Sequence, residues 1–277
     1  MNGKRTNWIG GVWIALALAA CAQGDPLPVP LEVSAKIGQG ETRAGDTHAT
    51  DYDKRTFVTG DRIKISKSGG AAESALYQRK AEGGWGLADG QTALTTTGSE
   101  SFAASFPEEF SGILADQSTP TNFWKSNRLT AAGVLNGNKC SFTFAPAAAK
   151  VTVVVTYQSS QTPESASLSG TGICTDTGAS ETITPYCASG STTASVRHTY
   201  VAIVCPGSRQ FTIRLKTTTE AQKTYTDTSP FTLQAGYNYQ YNFTATNELI
   251  LTGVTVAPFS DVAEENVGKR NLRKEER

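Results

Sequence analysis

The residue with the clearest chemistry is Cys21, which follows a short apolar segment near the amino terminus. Lys4 and Arg5 supply positive charge, residues 8–20 are apolar, and small residues lead up to the cysteine. A positive start, a short apolar core and small residues at its end are the pattern of an export signal. A thiol at that place is typical of a bacterial lipoprotein signal, where it takes a diacylglycerol. We predict cleavage after residue 20, lipidation of Cys21 with further acylation of the new amino terminus, and anchoring to the cell outer membrane.

Two other interpretations of this amino-terminal segment are open. One is an ordinary secretory signal that happens to contain a cysteine. The other is a transmembrane anchor, which needs roughly 20 apolar residues, more than residues 8–20 provide. Beyond Cys21, residues 21–30 contain three prolines at alternate positions, which favour an extended tether over a central strand.

Four further cysteines are candidates for disulfide bonds: Cys140, Cys174, Cys187 and Cys205. Their even number and the oxidising compartment implied by export favour disulfides, and three pairings are possible. A local bridge between Cys174 and Cys187 would close a loop rich in Gly, Ser and Thr. A bridge between Cys140 and Cys205 would join the ends of two apolar runs. A zinc site would need C-x₂₋₄-C spacing or nearby histidines, which the sequence lacks.

Catalytic patterns are missing from the sequence. The two histidines, His48 and His198, are not accompanied by the G-x-S-x-G motif that carries a nucleophilic serine. Glu108 and Glu109 point in opposite directions on an extended chain, so they cannot face each other as an acid/base pair. No phosphate-binding glycine loop, zinc-protease helix or twelve-residue calcium loop occurs. We therefore predict no enzymatic activity, no catalytic residue, no metal and no cofactor.

Composition limits the class of partner. Lys+Arg and Asp+Glu both number 25, so the net charge is zero and no basic patch favours nucleic acid as a partner. Trp85 and Trp124 are the residues that could stack on sugar rings. They leave a second interpretation open, a glycan-binding surface lipoprotein with no role in a pilus.

Strand patterns dominate the remaining sequence. Leu31, Val33, Ala35 and Ile37 alternate with polar residues, which predicts a half-buried strand. Similar runs separated by turn residues continue to residue 259, and no amphipathic helix of useful length interrupts them. We predict an all-β chain of two antiparallel β-sandwich domains, residues 31–146 and 147–259, followed by a charged, disordered tail at 260–277.

Several of these runs together resemble the fimbrillin-like family of type V pilus subunits from Gram-negative anaerobes. The residues that carry the resemblance are Glu41-Thr42-Arg43, Phe57 to Ile63, Asp116-Gln117-Ser118, Leu129-Thr130-Ala131, Phe142 to Phe144 and Ala235 to Tyr241. The resemblance implies sandwiches of transthyretin-like topology. It also implies a surface lipoprotein that serves in adhesion as a pilus (fimbria) subunit, tip or anchor, with other pilus subunits or host and bacterial surface ligands as partners.

The resemblance also implies a way of assembling. A protease that cuts after arginine, here at Arg43, would remove the first strand with Leu31, Val33, Ala35 and Ile37. The open sheet edge would then accept a strand from the next subunit. The donor would be the carboxy-terminal strand, with Leu249 and Leu251. An ordinary loop arginine is the alternative for Arg43. The charged tail departs from the family pattern, so a tip, an anchor or a stand-alone lipoprotein remains open.

Overall fold

A computed structural model of the chain describes residues 27–38, 56–68 and 73–258. Within these residues the regular structure is almost entirely β-strand, in several sheets whose strand pairs are mostly antiparallel, with one short helix. The all-β fold class predicted from the sequence is confirmed. The predicted lipidation site Cys21, the candidate cleavage site Arg43 and the predicted tail at 260–277 all lie outside the described residues.

The first part of the chain forms a sheet of seven strands. In chain order the elements are β1 (Val29–Pro30), β2 (Glu32–Ile37), β3 (Arg62–Ser68), β4 (Glu73–Arg79), β5 (Trp85–Leu87), β6 (Thr95–Thr96), β7 (Ser101–Phe106), α1 (Pro120–Ser126), β8 (Leu129–Asn136) and β9 (Lys139–Pro146). The sheet has the strand order β2-β9-β8-β7-β3-β4-β5, and β1 and β6 pair separately. Its two edge strands, β2 and β5, contact each other, so the sheet curls around its own core.

Alternation along β3 shows how the sequence dictates the inner face of this sheet. Ile63 and Ile65 are fully buried, whereas Arg62 and Lys64 on the opposite face are exposed. The turn before the strand needs a glycine, because Gly60 has a φ of +93°. Asp61 closes that turn, accepting a hydrogen bond from the backbone N–H of Val58 at 2.7 Å.

Strand β8 was not predicted, because the sequence around it reads as irregular. Its inward positions are Leu129, Ala131, Gly133 and Leu135, and two of these are too small to reveal an apolar alternation. The packing requires the glycine. A Cβ atom placed on Gly133 would lie 2.5 Å from the Cys140 sulfur and 3.0 Å from Phe142. Close packing between β8 and β9 thus hides the pattern that would have identified the strand.

The rest of the chain forms two sheets that face each other. The strands are β10 (Ala149–Gln161), β11 (Pro163–Thr171), β12 (Ser180–Ile183), β13 (Tyr186–Cys187), β14 (Ser195–Val204), β15 (Gly207–Arg209), β16 (Thr212–Thr217), β17 (Lys223–Thr226), β18 (Phe231–Leu233), β19 (Tyr237–Ala245) and β20 (Leu249–Pro258). The orders are β13-β14-β10-β19-β20 and β12-β11-β16-β17, with β15 paired to β18. Both sheets contribute to one buried apolar cluster, so they form a sandwich.

Residues 158–193 contain more regular structure than their composition suggests. The sequence predicts long loops around short strands there, yet β10 continues to Gln161 and β11 runs for nine residues. Ser and Thr alternate along β11 from Ser165 to Thr171 and leave Leu168 as the one buried residue of that run, so the apolar signal is weak. Backbone pairing with β12 and β16 on either side holds this strand in place.

The helix α1 and the residues before it connect the first sheet to the sandwich. Thr119 caps the helix by accepting a hydrogen bond from the N–H of Asn122 at 3.2 Å, and Pro120 occupies the first turn. The side chain of Phe123 is fully buried and packs with Val201 and Ile203 of β14. The helix therefore holds the connecting segment against the second half of the molecule.

Gln117 provides the polar part of the same connection and is fully buried. Its side-chain amide nitrogen donates hydrogen bonds to the carbonyl oxygens of Leu114 at 2.9 Å and Ile203 at 2.8 Å. Its side-chain oxygen accepts one from the N–H of Ile203 at 2.7 Å. One side chain thus pairs with both the N–H and the carbonyl oxygen of Ile203 on β14.

The chain changes from the first sheet to the sandwich between Pro146 and Ala149. This change falls beside the domain boundary predicted at residue 146. The division into two domains, 31–146 and 147–259, remains our proposal, and the transthyretin-like topology implied by the resemblance stays a prediction.

The Glu100 side chain stabilises the turn that follows β6. Its carboxylate accepts hydrogen bonds from the hydroxyl of Thr96 at 2.6 Å and from the N–H and hydroxyl of Thr97 at 3.0 Å, and Lys67 lies 3.5 Å away. The hydrogen bond from Thr96, followed by those from Thr97, holds the pKa of Glu100 well below its usual range. The ionised carboxylate is thus part of the folded turn.

We expect the Glu100→Gln variant to have a lower melting temperature than the wild type at pH 7. Because the folded pKa lies below the ordinary value of 4.5, the stabilisation is complete above pH 4.5 and is lost as the pH falls toward the folded pKa. The difference between the two proteins should therefore narrow below pH 4.5. Melting curves from pH 3 to 7 measure it, with exposed Glu82→Gln as control. A difference that stayed constant with pH would contradict the assignment.

Candidate functional site

The candidate site is the space that β2 fills between β9 and β5, which we call the β2 slot. Leu31 is buried and Val33, Ala35 and Ile37 are half-buried against the first core, while Glu32 and the other intervening side chains face solvent. The side chains that the sequence predicted to fill a groove therefore do face the core. They occupy the edge of the sheet, where a single strand can leave without disrupting a neighbour on each side.

Pairing with β9 supplies the backbone hydrogen bonds of the β2 slot. The two strands are parallel, with Val33 opposite Cys140, Ala35 opposite Phe142 and Ile37 opposite Phe144. At the two ends, the N–H of Glu32 donates to Asn138 and the N–H of Gly38 donates to Phe144, both at 2.8 Å. This is the geometry by which an added strand extends a sheet edge.

Aromatic side chains line the β2 slot. Phe142 and Phe144 of β9 are almost fully buried beneath β2. The ring of Phe57 packs edge-on against Phe144 at 5.2 Å and against Trp85 at 5.0 Å, measured between ring centroids. Because these rings are large and apolar, an empty β2 slot would expose a continuous apolar surface to water.

Polar contacts around β2 are few and mostly exposed. The side-chain amide nitrogen of Asn138 donates to the carbonyl oxygen of Pro30 and to a carboxylate oxygen of Glu32, each at 3.2 Å. Lys139 lies 3.8 Å from the carboxylate of Glu32. Exposed pairs of this kind contribute little to stability, so β2 is held mainly by its apolar face and its backbone.

Trp85 closes the opposite side of the β2 slot. Its indole nitrogen on β5 donates a hydrogen bond to the carbonyl oxygen of Ala35 at 3.3 Å. The sequence identified Trp85 only as a ring that could bind sugar and did not connect it with Ala35. The two residues are 50 positions apart, and no local pattern reports which strand closes a curved sheet.

We expect Trp85→Phe to weaken the docking of β2 by about 1 kcal/mol. The phenyl ring keeps the apolar contact with Phe57 but cannot donate to Ala35. Hydrogen exchange of the β2 amides should therefore become faster while the rest of the sheet keeps its protection. Trp124→Phe is the matched control, because the Trp124 ring stacks on Phe106. Unchanged exchange in Trp85→Phe would exclude this role for the indole.

The predicted donor strand, β20, is already in use within the sandwich. It pairs antiparallel with β19 along one side and forms the edge of its sheet. Leu249 is buried and Leu251 is half-buried against the sandwich core, whereas Ile250 and Val256 are exposed. Donation of β20 to another subunit would require it to leave this sheet. The subunit would then lose the pairing of β20 with β19 and the apolar burial of Leu249 and Leu251.

The four described cysteines are free thiols, so neither expected disulfide is present. Cys140 is fully buried in the first core, whereas Cys205 adjoins the sandwich, which separates the two members of that pair. Cys187 lies opposite Tyr200 on β14, and Cys174 lies beside Cys205 instead. The sequence spacing misled because it says nothing about which strand ends meet.

The residues considered for other chemistry have structural roles. His198 is fully buried, and a ring nitrogen lies 2.8 Å from the carbonyl oxygen of Gln161. Trp85 packs edge-to-face with Phe57, Trp124 stacks on Phe106, and both tryptophans are half-buried in the first core. His48 lies outside the described residues.

Two further observations concern the described residues only. No group of three or more His, Cys, Asp or Glu side chains among them is arranged to hold a metal ion. None of their helices is long and apolar enough to cross a membrane.

Comparisons with known proteins show the family and the fold of the chain. A family model described as fimbrillin-like matches residues 42–258, which is more than half of the chain. A crystal structure of a candidate cell adhesion protein from Bacteroides uniformis is 18% identical, with a TM-score of 0.57, and the match covers 84% of this chain and 99% of that one. A second from Bacteroides ovatus is 14% identical, also with a TM-score of 0.57, covering 84% and 98%. At these sequence identities the similarity supports the fold and not a shared function. No curated protein matches the sequence.

Proposed function

Because the chain belongs to the fimbrillin-like family, we propose that it serves in adhesion at the cell surface as a pilus subunit or as an accessory, tip or anchor component. We propose further that it joins its neighbour by exchange of the strand in the β2 slot. The observation that carries this second step is the position of β2, an edge strand with one apolar face and few polar contacts.

Removal of β2 would leave a surface that favours replacement by another strand. Full burial of one aliphatic side chain contributes about 1.5–3 kcal/mol. Since Leu31, just before β2, is buried and the three inward side chains of β2 are half-buried, the docking of this apolar face is worth roughly 4–6 kcal/mol. An incoming strand with the same alternation would recover that energy together with the backbone hydrogen bonds of β9. Exchange would therefore be driven by the same forces that hold β2 in the precursor.

The proposed sequence of events begins with the lipidated precursor. Lipid on Cys21 would hold it at the outer membrane, and cleavage at Arg43 would separate the anchor and β2 from the rest of the chain. If Arg43 is not cleaved, the lipid would remain as a permanent attachment, as expected of an anchor or a stand-alone lipoprotein.

The shape of the β2 slot also specifies the donor. A replacement strand would need apolar side chains at alternate positions, with a small one where Ala35 now lies between Phe142 and the Trp85 indole. In β20 the alternating residues Leu249, Leu251 and Gly253 follow this order of large, large and small. We therefore keep β20 of a neighbouring subunit as the proposed donor.

We expect a chain that begins at residue 44 to bind a synthetic peptide of residues 29–38 and, more weakly, one of residues 249–258. The first restores the native strand, and the second tests donation. Replacing Val33 by Asp within the first peptide should abolish binding, since that side chain enters the core. Lys36→Asp should not, because Lys36 faces solvent. Fluorescence anisotropy of labelled peptides measures both.

Two results would contradict strand exchange. One is equal binding of the Val33→Asp and Lys36→Asp peptides, which would show that binding to the β2 slot does not depend on the inward apolar side chains of the peptide. The other is a monomeric chain from residue 44 that binds no peptide and forms no fibres on cells. A pilus component without strand exchange would still be visible by immunogold labelling at the cell surface, which separates the two parts of the proposal.

A further inference from the structure

Two of the four described cysteines lie side by side where the two sheets of the sandwich meet. Cys174 is in the connection between β11 and β12, and Cys205 directly follows β14. The N–H of Cys205 donates to the carbonyl oxygen of Ile173 at 2.8 Å. The Cys205 thiol donates to the carbonyl oxygen of Cys174 at 3.2 Å. Both the backbone and the side chain of Cys205 therefore contact the Cys174 segment.

Neighbouring groups fix both cysteine backbones. The N–H of Cys174 donates to the carboxylate of Glu181 at 2.6 Å, and the carbonyl oxygen of Cys205 accepts from the Arg209 guanidinium at 3.2 Å. Arg209 also forms an ion pair with Asp176, next to Cys174, at 2.5 Å. The connection and the strand end are thus held together before any covalent bond forms.

The other two cysteines are excluded as partners by distance. Cys140 is buried in the first core, on the other side of the change of sheet at residues 146–149. Cys187 pairs with Tyr200, five residues before Cys205. At about 3.3 Å per residue this places Cys187 roughly 15 Å from Cys205 along the strand. A disulfide needs α-carbons within about 7 Å of each other.

We infer that Cys174 and Cys205 form a disulfide that links the two sheets of the sandwich when the protein meets a disulfide oxidant. Hydrogen bonds from the N–H of Cys205 to Ile173 and from its thiol to Cys174 place the two cysteines on adjacent backbone segments, as a disulfide requires. This pairing differs from both that the sequence suggested, and it does not depend on strand exchange.

The reaction is ordinary thiol–disulfide exchange. The thiolate of one cysteine attacks a sulfur of the oxidant, whose S–S bond breaks and releases one reduced thiol. The second cysteine then attacks the mixed disulfide, which forms the S–S bond between Cys174 and Cys205 and releases the second reduced thiol. Two cysteine protons and two electrons pass to the oxidant, which is recovered as two thiols.

The environment of the two thiols determines how fast the disulfide forms. Burial, with a smaller contribution from the Glu181 carboxylate, raises the pKa of Cys174 to about 11. Burial also raises the pKa of Cys205, with Arg209 acting in the opposite direction. Because the thiolate is the attacking species and its fraction rises tenfold per pH unit below the pKa, exchange should be slow at pH 7 and about a hundredfold faster at pH 9.

Peptide mapping of the full-length protein in detergent tests the pairing. The protein is incubated with oxidised glutathione at pH 8.5, unfolded, alkylated, and digested with trypsin and a glutamate-specific protease. Cleavage after Glu181 separates Cys174 from Cys187, and cleavage after Arg197 separates both from Cys205. We expect one linked pair of peptides containing Cys174 and Cys205, with Cys140 and Cys187 alkylated.

Two variants serve as controls. Cys187→Ser should form the bridge as the wild type does. In the double variant Cys174→Ser, Cys205→Ser, a reductant should leave the melting temperature unchanged, whereas reduction of the oxidised wild type should lower it by about 5–10 °C. Alkylation of both Cys174 and Cys205 in the oxidised wild type would overturn the inference, and so would a link from either of them to Cys187.

Discussion

Replacing Gln117 with leucine is expected to destabilise the protein by about 3–5 kcal/mol. The side chain is fully buried and forms three hydrogen bonds to backbone groups of Leu114 and Ile203. Leucine has a similar size but can neither donate nor accept. The N–H of Ile203 and both carbonyl oxygens would lose their bonds to the Gln117 amide, and each buried polar group left unpaired costs about 1–3 kcal/mol.

Denaturant unfolding of the Gln117→Leu variant measures this loss. Gln158→Leu is the matched control, because Gln158 lies exposed on β10 and its replacement should change stability by less than about 0.5 kcal/mol. If both variants unfolded at the same denaturant concentration, the hydrogen bonds of Gln117 would have no net role. An unfolding transition that splits in two would show that Gln117 couples the first sheet to the sandwich.

The strand pattern could be predicted wherever one face of a strand is apolar and the other is polar. Leu31, Val33, Ala35 and Ile37 gave the position, length and inner face of β2 because aliphatic and charged residues alternate there. The end of β7 was predictable for a different reason, since Pro107 follows it directly. Such features depend only on neighbours in sequence, so they need no knowledge of the rest of the fold.

Strand partners could not be predicted in the same way. The parallel register of β2 with β9 joins residues that are 107 positions apart, such as Ser34 and Ser141. Alternation along each strand fixes which side faces inward but not which strand lies beside it. The role of Trp85 depends on that pairing and on the curvature of the sheet, so it became visible only in the structure.

Two other errors have the same origin. β8 was missed because Gly133 must be small where Cys140 and Phe142 of β9 approach closely, and because Ala131 adds little to an apolar pattern. The cysteines were paired by sequence spacing, although the ends of β11 and β14 meet across the sandwich and bring Cys174 to Cys205. In both cases a contact between two strands, rather than a preference within one strand, decides the outcome.

Replacing Leu31 with aspartate is expected to free β2 from the β2 slot while the rest of the protein stays folded. Leu31 is the most buried inward side chain of this segment, with 6% of its surface exposed. Loss of its apolar burial together with desolvation of a carboxylate would cost about 3–5 kcal/mol. That amount approaches the roughly 4–6 kcal/mol that docks the apolar face of β2, so local release becomes competitive with the closed state.

Hydrogen exchange and size-exclusion chromatography distinguish local release from general unfolding. In Leu31→Asp the amides of β2, and those of β9 that bond to it, should exchange faster while β10 and β14 keep their protection. The exposed edge should also bind the peptide of residues 29–38 and form concentration-dependent oligomers. Lys36→Asp adds the same charge on the solvent face and should do neither.

The outcome for Leu31→Asp decides what kind of element β2 is. If the variant unfolds as a whole, β2 is an integral part of the core, and its removal would leave no folded subunit to receive a donor. If the variant opens only at β2, the remaining sheet is a stable acceptor with a vacant apolar edge. Only the second result is compatible with assembly by strand exchange, since an acceptor must persist between the loss of its own strand and the arrival of the next.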